Sequence, residues 1–356
     1  MSPAPLDRDD LRARVHKALA EFLTGQASRL DAVSDQLGPV QDALSAFLLD
    51  GGKRLRPAFA YWGYRGVGGE DSDAVVAAAA SLELLQACAL VHDDVMDGSD
   101  TRRGQPAMHR RFAALHRSED WRGDAEAFGV SAAILLGDLC LIWADELLNT
   151  SGMPAAALLR TQPVYDEMRV ELMAGQYLDL LEQAVGGGTV ESALRVARYK
   201  SAKYTIEKPL HMGCALGGGG QDVLDGYSGY GLPLGEAFQL RDDVLGVFGD
   251  PSQTGKPAGD DLREGKRTAL VAMALETATP AQAAAVRRHL GDPHLSDAGV
   301  AELREVITDT GALARVERLI DELMSDSLAA LRAAPVTAEA REVLEQLAVA
   351  ATARAV

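Results

Sequence analysis

The stretch Leu84–Gly104, LLQACALVHDDVMDGSDTRRG, is an apolar run of helical period that ends in a carboxylate cluster, Asp93-Asp94-Val95-Met96-Asp97. A second stretch, 235–250, GEAFQLRDDVLGVFGD, repeats the plan with Asp242-Asp243-Val244-Leu245-Gly246. Asp93 and Asp97 are four residues apart, so on a helix they stand one turn above each other on the same face, with roughly 5–6 Å between Cβ atoms. The two aspartate pairs lie 149 residues apart, 93 to 242. Each follows a comparable apolar helix, which suggests helical hairpins that face each other.

Working outward, helical periodicity dominates the chain and β-branched alternation is nearly absent, so the expected fold is all-α. Helices are expected over 8–24, 27–49, 54–65, 71–97, 105–116, 126–149, 154–183, 190–216, 221–247, 266–276, 280–290, 297–308, 310–332 and 337–354. Gly51-Gly52, Gly186-Gly187-Gly188 and Gly217–Gly220 mark stops. Segment 249–267, GDPSQTGKPAGDDLREGKR, reads as a mobile loop that could close over bound substrate. No Pro- or Ser-rich linker interrupts the 356 residues, and one helical domain over 1–356 is expected.

Composition narrows the partners. A formal net charge of −17 and a pI near 4.8 argue against nucleic acid and against an anionic membrane surface. Cys88, Cys140 and Cys214 are widely spaced, sit in apolar surroundings and form no CxxC pair, which predicts buried free thiols in a reducing cytoplasm. The N-terminus has no apolar signal segment, and no uncharged apolar run reaches the roughly 18 residues of a transmembrane span.

Against this acidic background the basic clusters stand out. Gly51-Gly52-Lys53-Arg54-Leu55-Arg56-Pro57 places three cations within four residues at a loop-to-helix junction, where anions are already favoured. Arg102-Arg103-Gly104 follows the first aspartate cluster and offers charge-assisted hydrogen bonds to a diphosphate. Carboxylates at i, i+4 suit Mg²⁺, which keeps several waters and takes further ligands from phosphate oxygens. A P-loop is excluded, because Pro257 follows Gly255-Lys256 and Asp250 stands where the first glycine belongs.

These motifs, in this order, resemble the trans-isoprenyl diphosphate synthases, the polyprenyl synthetase family, over roughly residues 35–275. GGKRLRP at 51–57, DDVMD at 93–97, RRG at 102–104, GQYLD at 175–179, YKSA at 199–202 and FQLRDD at 238–243 carry the resemblance. It implies long antiparallel helices around a deep central cavity, a homodimer, and head-to-tail 1'-4 condensation of isopentenyl diphosphate with an allylic diphosphate. It further implies three Mg²⁺ per site, with Asp93, Asp94, Asp97, Asp242 and Asp243 as the metal-binding set. Lys53, Arg56, Gln86 and Arg103 would hold isopentenyl diphosphate and Arg102, Lys200 and Lys256 the allylic diphosphate, with Arg54 and Lys266 as further substrate-binding cations. Lys200, Ser201 and Gln239 would stabilise the allylic cation.

Three departures accompany the resemblance: Gly246 where the second motif has its last aspartate, Ser201 for threonine, and Gln86 at a position that is often histidine. Leu85, Cys88 and Ala89 precede Asp93 by one and two turns and are expected to floor the pocket. Cys88 and Ala89 are small, which predicts geranylgeranyl diphosphate, with farnesyl or longer products as alternatives. Trp143 is a candidate for a deeper floor or plain core. A class I terpene cyclase is the rival enzyme, and a non-catalytic partner subunit is the rival from another class. The first lacks a GGKRLRP site and the second is expected to have lost Asp93, Asp97 or the basic cluster.

Overall fold

The computed structural model describes residues 9–186, 188–249, 259–292 and 294–352. Among them the regular secondary structure is helical apart from one β-hairpin with two residues in each strand. The first helices are α1 (Leu11–Asp31), α2 (Gly38–Leu49), α3 (Leu55–Gly66) and α4 (Asp73–Met96). Ser72 caps α4 by accepting from the Val75 amide, and Asp73 adds a negative charge to its first turn. Strands β1 (Thr101–Arg102) and β2 (Gln105–Pro106) pair antiparallel, and α5 (Met108–Ser118) and α6 (Ala125–Asn149) follow.

Helix α7 (Ala155–Val185) ends at Gly186, whose φ of +70° suits the left-handed cap of a helix end. Helix α8 (Val190–Val196) runs directly into a π-helical segment, Ala197–Glu207, and then α9 (Lys208–Gly217). Next come α10 (Gln221–Phe248), the short α11 (Asp260–Glu264), α12 (Ala269–Thr277), α13 (Pro280–His289), α14 (Asp297–Asp309), α15 (Ala312–Ala333) and α16 (Ala338–Thr352).

The core has two parts. The larger gathers α1 to α7, α9 and the first half of α10 around Trp62, Tyr61, Tyr165 and Tyr227. The smaller packs the second half of α10 against α12 to α15 through Leu240, Val244, Leu270 and Val316. Helix α4 packs on α1, α3 and α6, while α10 packs on α15 and the π-helical segment. The two apolar stretches that each end in an aspartate pair thus become two central helices, one in each part of the core.

Several expectations shift. Helix α1 runs through Gly25 to Asp31 without a break, because Leu23 and Gln26 continue its buried stripe. The hairpin at 101–106 and the π-helical turn at 197–207 were not read from the sequence. The expected mobile loop falls largely on residues 250–258, outside the described residues, and its remainder forms α11. Two helices, α4 and α6, are long and apolar enough by composition to cross a membrane, although no wholly uncharged run is. In α4, 72% of the apolar window is buried within the protein, so it is a core helix; in α6 the share is 39%. All three cysteines are free and buried, and burial pushes the Cys88 thiol up to about 12.

Candidate active site

One cavity of about 970 Å³ collects most of the residues singled out from the sequence. That is the upper end of the usual range for small-molecule sites. From α3 and the loop before it come Lys53 and Arg56, from α4 come Gln86, Ala89 and Asp93, and from the hairpin come Arg102 and Arg103. The π-helical segment adds Lys200 and Ser201, α10 adds Gln239, Asp242 and Asp243, and Lys266 follows α11. Asp93 and Asp242, 149 positions apart, therefore share one chamber.

Asp93 is the hub of the α4 side. Its Oδ1 accepts from Lys200 Nζ at 3.1 Å and from Gln176 Nε2 at 3.0 Å, and Arg102 lies 3.5 Å from Oδ2. Burial works against its charge, yet Lys200, Lys266 and Arg102 outweigh it and hold the carboxyl below the usual range. Lys200 also donates to Asp179 at 2.7 Å. Gln176 and Asp179 belong to GQYLD and had no assigned role; the motif itself was the available signal. Gly175, in the same motif, allows this approach, since a Cβ there would stand 2.5 Å from the Lys200 backbone nitrogen. The π-helical geometry, common at functional sites, presents Lys200, Ser201 and Tyr204 to the cavity together.

The Asp97 side chain is 2% exposed, and neither of its carboxylate oxygens accepts a hydrogen bond. Its nearest cation is Lys266 Nζ, 3.6 Å from Oδ2. Burial first, and Asp93 second, push its carboxyl up to about 6, although Lys266 opposes them. A buried carboxylate without hydrogen bonds beside Asp93 fits a divalent cation. Among the described residues no three His, Cys, Asp or Glu side chains close a metal cage. Paired carboxylates of this kind suit Mg²⁺, whose remaining ligands are waters and phosphate oxygens.

Of the expected metal-binding set, Asp94 is turned away from the cavity, while Asp243 stays at its wall beside Asp242. Asp94 is fully buried and accepts from Arg102 Nε at 2.8 Å, so it fixes the guanidinium and does not line the cavity. Asp243 is at the cavity wall but accepts from Gln239 at 2.7 Å, and burial together with Asp261 and Asp242 pushes it up to about 8. Its carboxylate holds Gln239 in place. Successive helical residues point about 100° apart, so Asp94 falls away from the face that Asp93 presents to the cavity.

Arg54 is likewise corrected. Its φ of +54° turns it inward, where it is 5% exposed, pairs with Glu83 of α4 and donates to the Leu48 carbonyl at 2.6 Å. Lys53 and Arg56 keep their place in the cavity, with Arg56 over the Tyr204 ring at 4.4 Å and bonded to Thr205 at 2.8 Å. Arg103 lies over Phe47; burial and its neighbours Arg54, Arg102 and Arg56 push its pKa down despite Glu83. Such mutual repulsion favours an anion. Lys256 lies outside the described residues.

Of the three floor residues only Ala89 lines the cavity. Leu85 and Cys88 are fully buried in the larger core, with Cys88 Sγ 3.8 Å from His92 Nδ1. Trp143 packs edge-on against Phe22 at 6.2 Å and is core.

The model of the family Polyprenyl synthetase matches residues 39–307. The chain belongs to the polyprenyl synthetase family. It is 34% identical over 307 residues to a geranylfarnesyl diphosphate synthase of Aeropyrum pernix, covering 83% of this chain and 88% of that one. It is 32% identical over 264 residues to a geranylgeranyl diphosphate synthase of Methanosarcina mazei, covering 72% and 76%. Among solved structures, a geranylgeranyl pyrophosphate synthase from Corynebacterium glutamicum, complexed with isoprenyl diphosphate and magnesium, superposes with a TM-score of 0.94 at 43% identity, covering 98% of this chain and 99% of that one. This polyprenyl synthetase has the all-α isoprenoid synthase fold expected from its sequence and is a prenyl-transferring enzyme.

Proposed function

We propose that this polyprenyl synthetase condenses isopentenyl diphosphate with allylic diphosphates by 1'-4 head-to-tail addition and releases mainly geranylgeranyl diphosphate, C20. The observation that carries this reading is that one cavity is lined both by carboxylates of α4 and α10 and by the cations Lys53, Arg56 and Arg103. Asp93, Asp97 and Asp242 are the residues that would hold Mg²⁺, three per site, which when bound would supply Lewis-acid neutralisation of the departing diphosphate. Arg102, Lys200 and Lys266 add positive charge to that diphosphate. As the allylic C1–O bond breaks, the backbone and side-chain oxygens of Lys200, Ser201 and Gln239 stabilise the allylic cation and exclude water from it.

Lys53, Arg56, Gln86 and Arg103 orient isopentenyl diphosphate so that its double bond attacks C1 of the cation. The new C–C bond leaves a tertiary cation, and the released diphosphate takes the proton whose loss restores a double bond. Ala89, small and at the cavity wall one turn before Asp93, supports a tail longer than C15.

A homodimer in a cytoplasmic setting completes the proposal. Phe128, Leu135 and Ile142 recur every seven residues on α6 and are 36%, 66% and 62% exposed. Val170, Met173, Tyr177 and Leu181 form a similar exposed stripe on α7. Apolar faces of this kind call for cover, and a second copy of the chain is the proposed occupant.

The test is incubation with Mg²⁺, labelled isopentenyl diphosphate and each of dimethylallyl, geranyl and farnesyl diphosphate, then sizing of the dephosphorylated products. Mg²⁺-dependent C20 alcohol, lost in Asp93→Ala, is expected. A C25 product, as the name of the Aeropyrum pernix relative indicates for that enzyme, would overturn the chain-length assignment alone; no elongation from any primer would overturn the synthase reading.

A further inference from the structure

On α4 the carboxylates Asp93 and Asp97 stand at i and i+4; on α10 the corresponding positions are Asp242 and Gly246. The second copy therefore lacks one carboxylate in sequence. The space beside Gly246 is nonetheless taken by a carboxylate. A Cβ built on Gly246 falls 1.8 Å from Asp261 Oδ2 and 2.5 Å from its Cγ. Asp261, from α11, thus lays its side chain against the bare backbone of α10, one turn beyond Asp242, and it lines the same cavity.

We infer that Asp261 supplies, from a separate helix, the metal-binding carboxylate that position 246 lacks, so that Asp242 and Asp261 together face Asp93 and Asp97, and that Gly246 is required to leave Asp261 room. The inference rests on the proposed metal-dependent ionisation.

A second observation comes from the opposite wall. Lys266 Nζ stands 3.3 Å from Asp261 Oδ1, 3.6 Å from Asp97 Oδ2 and 2.5 Å from Glu264 Oε2. One ammonium is shared among three carboxylates, and Asp97, its side chain 2% exposed, turns two oxygens that accept no hydrogen bond toward this cluster. The local charge is negative on both sides of Lys266, which a divalent cation would compensate. Asp261 therefore joins the two carboxylate walls and is more than a partner for Lys266.

The arrangement makes an unusual demand on substitution. Gly246→Asp, which would restore a carboxylate in sequence, forces a side chain into the Asp261 carboxylate and displaces it. The experiment measures Mn²⁺ binding to the purified full-length chain, with inorganic diphosphate present, by the loss of the free Mn²⁺ electron paramagnetic resonance signal, together with Tm. Asp261→Asn is expected to weaken Mn²⁺ binding by about tenfold or more. Gly246→Asp is expected to weaken it similarly and to lower Tm, whereas Gly246→Asp combined with Asp261→Ala is expected to return to within about threefold of the parent.

Parent-like Mn²⁺ binding in Asp261→Asn, or tighter binding in Gly246→Asp alone, overturns the inference. Asp93→Ala separates the two levels: binding that is lost there but intact in Asp261→Asn overturns only the role of Asp261. Absence of Mn²⁺ binding in the parent overturns the metal-dependent reading as well. The isosteric Asp261→Asn keeps the test decisive if Gly246→Asp does not fold.

Discussion

Replacing Arg54 with alanine tests whether the GGKRLRP motif binds substrate with all its cations or spends one on architecture. Arg54 and Glu83 are 5% and 6% exposed, and the guanidinium also caps the Leu48 carbonyl at the end of α2. Removing it leaves the Glu83 carboxylate buried without its counter-ion, which costs about 3–5 kcal/mol. With an unfolding entropy of roughly 2.1 cal/mol/K per residue, a 356-residue chain then loses roughly 4–7 °C of Tm. Thermal unfolding followed by circular dichroism measures this directly. Arg54→Leu combined with Glu83→Leu should recover most of the loss, because well-packed apolar residues can replace a buried ion pair. Kinetically, KM for isopentenyl diphosphate should rise as Lys53 and Arg56 lose their fixed loop. An Arg54→Ala enzyme with parental Tm and a large rise in that KM alone would refute the reasoning and return Arg54 to the substrate.

Gly175→Ala places a Cβ 2.5 Å from the Lys200 backbone nitrogen, which neither helix can easily yield; a loss of about 1–3 kcal/mol in stability is expected, with a fall in kcat that circular dichroism and steady-state assays would measure together. Ala89→Phe fills the cavity wall one turn before Asp93 and should shorten the main product to C15, read by sizing the product alcohols. Ile142→Glu, on the exposed face of α6, should convert the proposed dimer to a monomer in light-scattering chromatography. Burial, with the charge of Lys208 next, pushes His211 down to about 4. The unfolded chain, with a histidine pKa near 6.5, binds the extra proton first as the pH falls. Stability is therefore complete above pH ~6.5 and declines towards pH ~4 by up to roughly 3 kcal/mol, a slope that urea titrations should find flattened in His211→Asn.

Much of the fold and site was legible because its determinants are local. An apolar helical run capped by Ser72 specifies α4 wherever it packs, and an i, i+4 spacing puts Asp93 and Asp97 on one face whatever surrounds them. The same periodicity contained the correction for Asp94: a residue one step along a helix points about 100° away, so Asp93 faces the cavity and Asp94 does not, whereas on α10 both Asp242 and Asp243 reach its wall. Arg54 was harder. Lys53, Arg54 and Arg56 carry the same charge within four residues, and the positive φ angles at Gly51, Gly52 and Arg54 decide which of them turns inward. The glycines signalled a sharp turn, but its effect on each cation depends on the buried Glu83, 29 residues further along.

Gly246 shows where local reading stops. As sequence, it subtracts a carboxylate from the second motif and weakens the case for a competent site. In the fold, the missing side chain becomes the opening through which Asp261 reaches α10, 15 positions later and from a different helix. Helical spacing ties position 246 to Asp242, but nothing in that spacing ties it to Asp261; only the return of the chain beside α10 does. A glycine that reads as a loss in a linear motif is thus a steric allowance in the assembled site, and the two interpretations predict opposite outcomes for restoring an aspartate there.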